Sequence, residues 1–212
     1  MERKPGINCL FIDIGGVLLS DGWDHFARWR AAEVFGLDLE ELEGRHRLNI
    51  GTYEEGKMTF TEYLDRVVFH RKRPFSHDRF RRFMLEDSKP HPEMIAWAAR
   101  LKARYKLKVF AVSNEGRELN DYRVRRFGLG SIVDAFITSC YVHVRKPDLD
   151  IFRLALDLSR APARRVVYLE NTPLFVEAAA ELGIRGVLHQ NLRSTRDQFA
   201  ALGLPCGEGA RP

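Results

Sequence analysis

Residues Phe11 to Leu19 read Phe-Ile-Asp-Ile-Gly-Gly-Val-Leu-Leu: an apolar run, one carboxylate and a glycine pair. The run Ile7–Ile12 has the pattern of a buried strand, and the glycines that of a sharp turn. Asp13 is thereby placed at the C-terminal edge of a sheet, where open α/β folds bind ligands. A charge in that position is unfavourable unless something pairs with it or uses it. Its chemistry would be that of a nucleophile or a metal ligand; its plain structural role would be to cap a turn. Three further groups follow apolar runs in the same manner. Ser113-Asn114-Glu115-Gly116 offers a small hydroxyl and a backbone turn suited to phosphate oxygens, though such a sequence is also an ordinary turn. Lys146, in Arg145-Lys146-Pro147-Asp148, precedes a helix that Asp148 is suited to cap, and a lysine there neutralises a carboxylate and a transferring phosphoryl group alike. Glu170-Asn171 ends the run Val166–Leu169, and two carboxylates converging from separate strands suit a hard cation such as Mg²⁺.

These groups need a scaffold, and the chain alternates short β-branched runs with helical patterns, the signature of a parallel sheet with crossover helices. Strands are expected at Ile7–Ile12, Lys108–Val112, Ala135–Thr138, Val166–Leu169 and Gly186–Leu188. Helices are expected at Pro92–Tyr105, Glu118–Phe127, Asp148–Leu158 and Phe175–Leu182, with Pro92 in a first turn and Gly183 left-handed at a C-terminus. About ninety residues separate the first two strands, far more than one crossover needs. They read as helices, Trp23–Phe35, Leu39–Arg47, Thr61–Phe69 and Ser76–Met84. The expected class is α/β, a Rossmann-like parallel-sheet core of residues 1–19 and 88–212 with a helical cap of residues 20–87 inserted over Asp13. Such a lid excludes water and selects substrate. Within it, His70–Phe83 interleaves basic and aromatic residues. The pattern is that of an amphipathic helix with Phe80 and Phe83 inward and Arg79, Arg81 and Arg82 solvated, rather than a nucleic-acid patch. Phe60 and Tyr63 are expected to pack the cap.

Size and composition fit this picture. The chain has 212 residues, 45% hydrophobic and 30% charged, which suits one medium domain with an insertion. No run approaches a membrane span, and Met1-Glu-Arg-Lys-Pro-Gly carries no apolar segment of a secretory leader. The three cysteines have no metal-like spacing and read as reduced thiols of a cytoplasmic protein. A formal charge of +5 and a pI near 9.2 favour anionic small molecules without calling for nucleic acid.

The order strand-Asp, helical insertion, strand-Ser-Asn, Lys-Pro, strand-acid resembles that of the haloacid dehalogenase-like hydrolase superfamily, over nearly the whole chain. The segments Lys146–Phe152 and Val176–Ile184 are similar to those that follow the third and fourth motifs of that family. The resemblance implies that Asp13 is a covalent nucleophile, that Ser113 binds phosphate and that Lys146 stabilises charge. It also implies Asn114 and Gly16 as substrate contacts, and Mg²⁺ held by Asp13, the Gly15 carbonyl, Glu170 and Asn171. Three positions depart from the pattern. Gly15 stands where phosphatases of the family carry a second Asp that serves as general acid and base. Glu170-Asn171 replaces the usual Asp-Asp, with a longer arm and one charge fewer. Phe175 occupies a position that is commonly a polar Asn. Relatives with Asp-x-Gly at the first motif look like sugar-phosphate phosphatases, whose leaving group departs more easily. The implied function is therefore Mg²⁺-dependent hydrolysis of a small phosphorylated metabolite, sugar phosphates included, through an aspartyl-phosphate. Two other readings stay open: a 2-haloacid dehalogenase, and a catalytically weak binding module of the same fold.

Overall fold

The computed structural model describes residues 6–207. Residues 1–5 lie outside it, and with them most of the segment read as lacking a leader. Five parallel strands form one sheet in the order β3-β2-β1-β4-β5. They are β1 (Cys9–Ile12), β2 (Lys108–Ser113), β3 (Ala135–Thr138), β4 (Val166–Glu170) and β5 (Arg185–Leu188). All five expected strands are present, each within two residues of the expected ends. β1 is central because it is the most apolar, with every residue fully buried.

Its side chains alternate between two cores, as the period of a strand requires. Leu10 and Ile12 join a cluster under α5 (Pro92–Tyr105) and α10 (Leu192–Ala201), where the rings of Trp97 and Phe199 meet edge-on at 4.9 Å. Cys9 and Phe11 join the opposite cluster, under α8 (Leu149–Ser159) and α9 (Pro173–Glu181). Helices thus cover both faces, and the sheet is of the Rossmann-like α/β kind. α6 (Arg117–Arg126) and the short α7 (Ser139–Val142) complete the crossovers. Pro92 begins α5, the Asp148 side chain accepts from the Asp150 amide at 2.9 Å, and Gly183 has φ +78°. α10 has no counterpart among the expected helices. Cys9, Cys140 and Cys206 are buried free thiols. Among the described residues no helix is long and apolar enough to cross a membrane.

Between β1 and β2 lie α1 (His25–Phe35), α2 (Leu39–Glu54), α3 (Phe60–Val67) and α4 (His77–Glu86). Each begins at a side chain suited to bind free amides: Asp24, Asp38, Thr59 and Ser76 accept from Ala27, Glu41, Glu62 and Arg79 respectively. The insert has its own apolar cluster, in which Phe60, Tyr63 and Phe80 are fully buried. Arg79 and Arg82 are exposed and Arg81 is half-buried, and the Arg79 and Arg81 heads lie over the rings of Phe35 and Phe60 at 5.4 and 5.0 Å. α2 runs to Glu54, seven residues past its expected end at Arg47. The two chain segments that join insert to sheet pair with each other: the Ser20 amide donates to the Lys89 carbonyl at 2.8 Å, and His91 to Leu18 at 2.9 Å.

Candidate active site

Register alone brings three of the expected residues together. Ile12 lies opposite Ala111 on β2 and Leu169 on β4. Asp13 therefore emerges beside Glu170, and Ser113 one step further along the same edge. Lys146 reaches this edge from the loop before α8. Its ammonium lies 3.0 Å from Oδ2 of Asp13, 2.6 Å from Oε2 of Glu170 and 3.1 Å from the hydroxyl of Tyr168. It is 1% exposed, so its charge is balanced by the two carboxylates and hardly at all by water. Burial alone would lower the Lys146 pKa, but the Asp13 and Glu170 charges outweigh it and the net displacement is upward. The ammonium also sits 4.8 Å from the centre of the Phe175 ring. The phenyl ring at this departure from the family pattern thus walls the lysine.

Asp13 is anchored at its other oxygen, where Oδ1 accepts from the Ile14 amide at 2.8 Å. Glu170 is fully buried, and its carboxylate is surrounded by protein donors. Oε1 accepts from the amides of Asn171 (3.0 Å) and Thr172 (2.9 Å); Oε2 accepts from Lys146 and from Tyr168. Glu170, expected as a metal ligand, is thus engaged by four donors here. Through Oε2 it also holds the Lys146 ammonium in place. Asn114, expected as a substrate contact, lines the cavity and also holds the Lys146 backbone. Its Nδ2 donates to the Lys146 carbonyl at 2.9 Å, and its Oδ1 accepts from the Lys146 amide at 2.8 Å.

The edge opens into a cavity of about 280 Å³ between sheet and insert. Asp13, Gly15, Ser113, Asn114, Lys146 and Asn171 line it on the sheet side. Gly16 is required by its backbone. Its φ is +69°, and a Cβ there would come within 1.9 Å of Asn171 Nδ2. Gly15 is different: a Cβ there would meet nothing closer than 3.7 Å, with Arg123 Nη1 and Asp21 Oδ1 the nearest atoms. Asp21 Oδ1 also lies 3.4 Å from Asn171 Nδ2. Asp13, Gly15, Asp21 and Asn171, all residues that carry oxygen donors, lie together in the cavity lining. That donor set suits a hard cation. It is short of charge, and among the described residues no three His, Cys, Asp or Glu side chains converge as a metal cluster.

From the insert, Trp23, His46, Ile50, Tyr53, Glu54 and Met84 close the cavity. Glu115 and Arg123, both buried, pair behind Gly15, and Arg123 also donates to the Ser20 carbonyl. Arg145 reaches up to Glu54 of α2, at 2.7 Å. None of these was singled out from the sequence, and neither was Tyr168. Tyr168 carried a signal, since it stands two residues before Glu170 on one strand and so shares its face.

The family model described as haloacid dehalogenase-like hydrolase matches residues 7–183. The chain belongs to that family. Among curated proteins it is 29% identical over 191 residues to the phosphorylated carbohydrates phosphatase of Thermotoga maritima, covering 86% of each chain. Among solved structures, a family enzyme of Bacteroides thetaiotaomicron in complex with magnesium superposes with a TM-score of 0.74 at 19% identity, covering 87% of this chain and 94% of that one. The L-2-haloacid dehalogenase of Xanthobacter autotrophicus, with chloropropionic acid covalently bound, superposes with a TM-score of 0.62 at 14% identity, covering 93% and 84%. At these identities the two structures bear on the fold alone.

Proposed function

We propose that this hydrolase cleaves phosphate monoesters of small metabolites, phosphorylated carbohydrates foremost, with Asp13 as nucleophile. The observation that carries the reading is the Lys146 ammonium seated between Asp13 and Glu170 at the floor of a cavity that Ser113 also lines. The relative of Thermotoga maritima, which bears the name of a phosphorylated carbohydrates phosphatase, supports the substrate class. An Oδ atom of Asp13 attacks phosphorus in line; the bond to the leaving oxygen breaks, and that oxygen takes up a proton. Water then attacks the phosphorus of the aspartyl-phosphate, releasing phosphate and restoring Asp13. Lys146 neutralises charge on the transferring oxygens, and the Ser113 hydroxyl donates to one of them. The Asp13 carboxylate, the Gly15 carbonyl and Asn171 would hold Mg²⁺, which supplies further charge neutralisation when bound. The helical insert acts as a cap that keeps bulk water from the reacting centre. The three buried free thiols suit a reducing, cytoplasmic setting.

The test is phosphate release from a panel of sugar phosphates, nucleotides and acyl phosphates, with and without Mg²⁺, beside an Asp13→Asn control. Metal-dependent release that the control lacks is expected. Equal release from wild type and control would remove Asp13 from the mechanism. Chloride release from 2-chloropropionate, with no phosphate release, would make the chain a dehalogenase.

A further inference from the structure

Four of the polar side chains that line the cavity each keep a buried atom without a hydrogen-bond partner. They are Oη of Tyr53, Oε2 of Glu115, Nε of Arg123 and Nε of Arg145. Tyr53 and Glu115 are 4% exposed and Arg123 is 1% exposed. Their other contacts fix them in place. Tyr53 stacks on Tyr63 at 4.7 Å and presses against Gly116, where a Cβ would stand 2.1 Å from the ring. Glu115 holds Arg123 through its other oxygen, and Arg123 holds the Ser20 carbonyl. Arg145 is anchored to Glu54 at 2.7 Å. Buried polar groups are normally paired, so four unpaired ones around one cavity point to a ligand that pairs them.

We propose that Tyr53, Glu115, Arg123 and Arg145 form a leaving-group subsite that takes a neutral polyhydroxylated group, the sugar of a sugar phosphate. The proposal rests on the phosphatase reading of Asp13 and names the residues that choose its substrate. The chemistry selects by elimination. Oε2 of Glu115 accepts, each arginine Nε donates, and the Tyr53 hydroxyl does either. A leaving group with a second phosphate or a carboxylate would satisfy the arginines and be repelled by Glu115 and Glu54. An ammonium group would do the reverse, and a hydrocarbon would pair with none of them. A hydroxyl donates and accepts at once, so two or three hydroxyls on a ring satisfy the whole set. A site built to hydrogen-bond hydroxyls discriminates strongly against analogues that lack them.

Binding to the Asp13→Asn protein separates this subsite from the chemistry. The probes for calorimetry are glucose 1-phosphate, glucose 6-phosphate, fructose 6-phosphate and ribose 5-phosphate, with ethyl phosphate as the partner that shares only the phosphoryl end. The tightest sugar phosphate is expected to bind at least about tenfold more tightly than ethyl phosphate. Adding Tyr53→Phe or Glu115→Gln, both close to isosteric, is expected to weaken that sugar phosphate about fivefold to fiftyfold, and ethyl phosphate by much less. Equal affinity for sugar and ethyl phosphates, or an equal loss on both in the two variants, would overturn the subsite. Should the binding pattern appear while wild type releases no phosphate from any probe, the phosphatase reading fails and the subsite stands. Release without the pattern has the opposite meaning.

Discussion

Asn114 clasps the backbone of Lys146 in both directions, donating to its carbonyl at 2.9 Å and accepting from its amide at 2.8 Å. The clasp ties the loop after β2, which carries Ser113, to the loop before α8, which carries the ammonium. Asn114 is thus a positioning residue. Loss of its amide leaves every reacting group present but lets Lys146 shift relative to Asp13. A displacement of about 1 Å costs on the order of 100-fold in rate. Asn114→Ala is therefore expected to lower kcat for a sugar phosphate about 10–100-fold with a smaller change in KM. A change in KM alone would return Asn114 to the substrate-contact role expected from sequence.

The contrast between Glu170 and Asn171 makes a second prediction. Glu170 is buried with four donors on its carboxylate, whereas Asn171 faces the cavity. Added charge should strengthen a cation site only at the second position. Asn171→Asp is expected to tighten Mg²⁺ binding about tenfold, about 1.4 kcal/mol, in calorimetry. Glu170→Asp is expected to leave it no tighter and to lower the urea midpoint, since a shorter arm withdraws from Lys146. Tighter binding in Glu170→Asp would make Glu170 a ligand.

Gly15 leaves room for the acid–base residue that the chain lacks. A Cβ there has only ordinary contacts, at 3.7 Å, and Gly15 is not among the glycines with positive φ. Gly15→Asp should fold and place a carboxylate beside Arg123. A general acid is worth typically 10²–10⁴ in rate and matters most for poor leaving groups. The variant is expected to raise kcat for ethyl phosphate on the order of 10–100-fold and to change p-nitrophenyl phosphate little. An equal change on both substrates would show that the new carboxylate does not protonate the leaving group.

How far the sequence reached follows from where each signal is local. The sheet was legible because its strands are short apolar runs, and Asp13, Ser113, Lys146 and Glu170 were legible because each follows one in a fixed order. The hydrogen-bond partners of Glu170 were not. Residue type suggests a ligand, and only the amides of Asn171 and Thr172 with the Tyr168 hydroxyl show that its oxygens are engaged. α2 was read short because Gly51 weakens its pattern beyond Arg47, yet the extra turns carry Tyr53 and Glu54 into the cavity. Arg123 and Glu115 pair across eight positions between a loop and α6, a separation with no sequence periodicity. α10 was missed because its inward residues, Thr195 and Phe199, are too few to make a stripe.

His46 provides a prediction on stability against pH. Burial, with the nearby Arg28 charge adding to it, pushes its pKa down from 6.5 to about 3. The ring bonds through Nδ1 to the Tyr63 hydroxyl at 2.7 Å. The unfolded chain therefore binds a proton at this residue below pH about 6.5 that the folded chain does not take up until about pH 3. A depressed histidine thus contributes stability that is fully present above pH 6.5 and lost as pH falls through the unfolded value, with a slope of at most about 1.4 kcal/mol per pH unit. By pH 5 the loss should be about 2 kcal/mol. His46→Gln has no proton to gain. Urea unfolding at pH 7.5 and pH 5 is expected to show wild type losing about 2 kcal/mol more than the variant over that interval. Parallel losses in the two proteins would mean that the imidazole takes up its proton without leaving the fold.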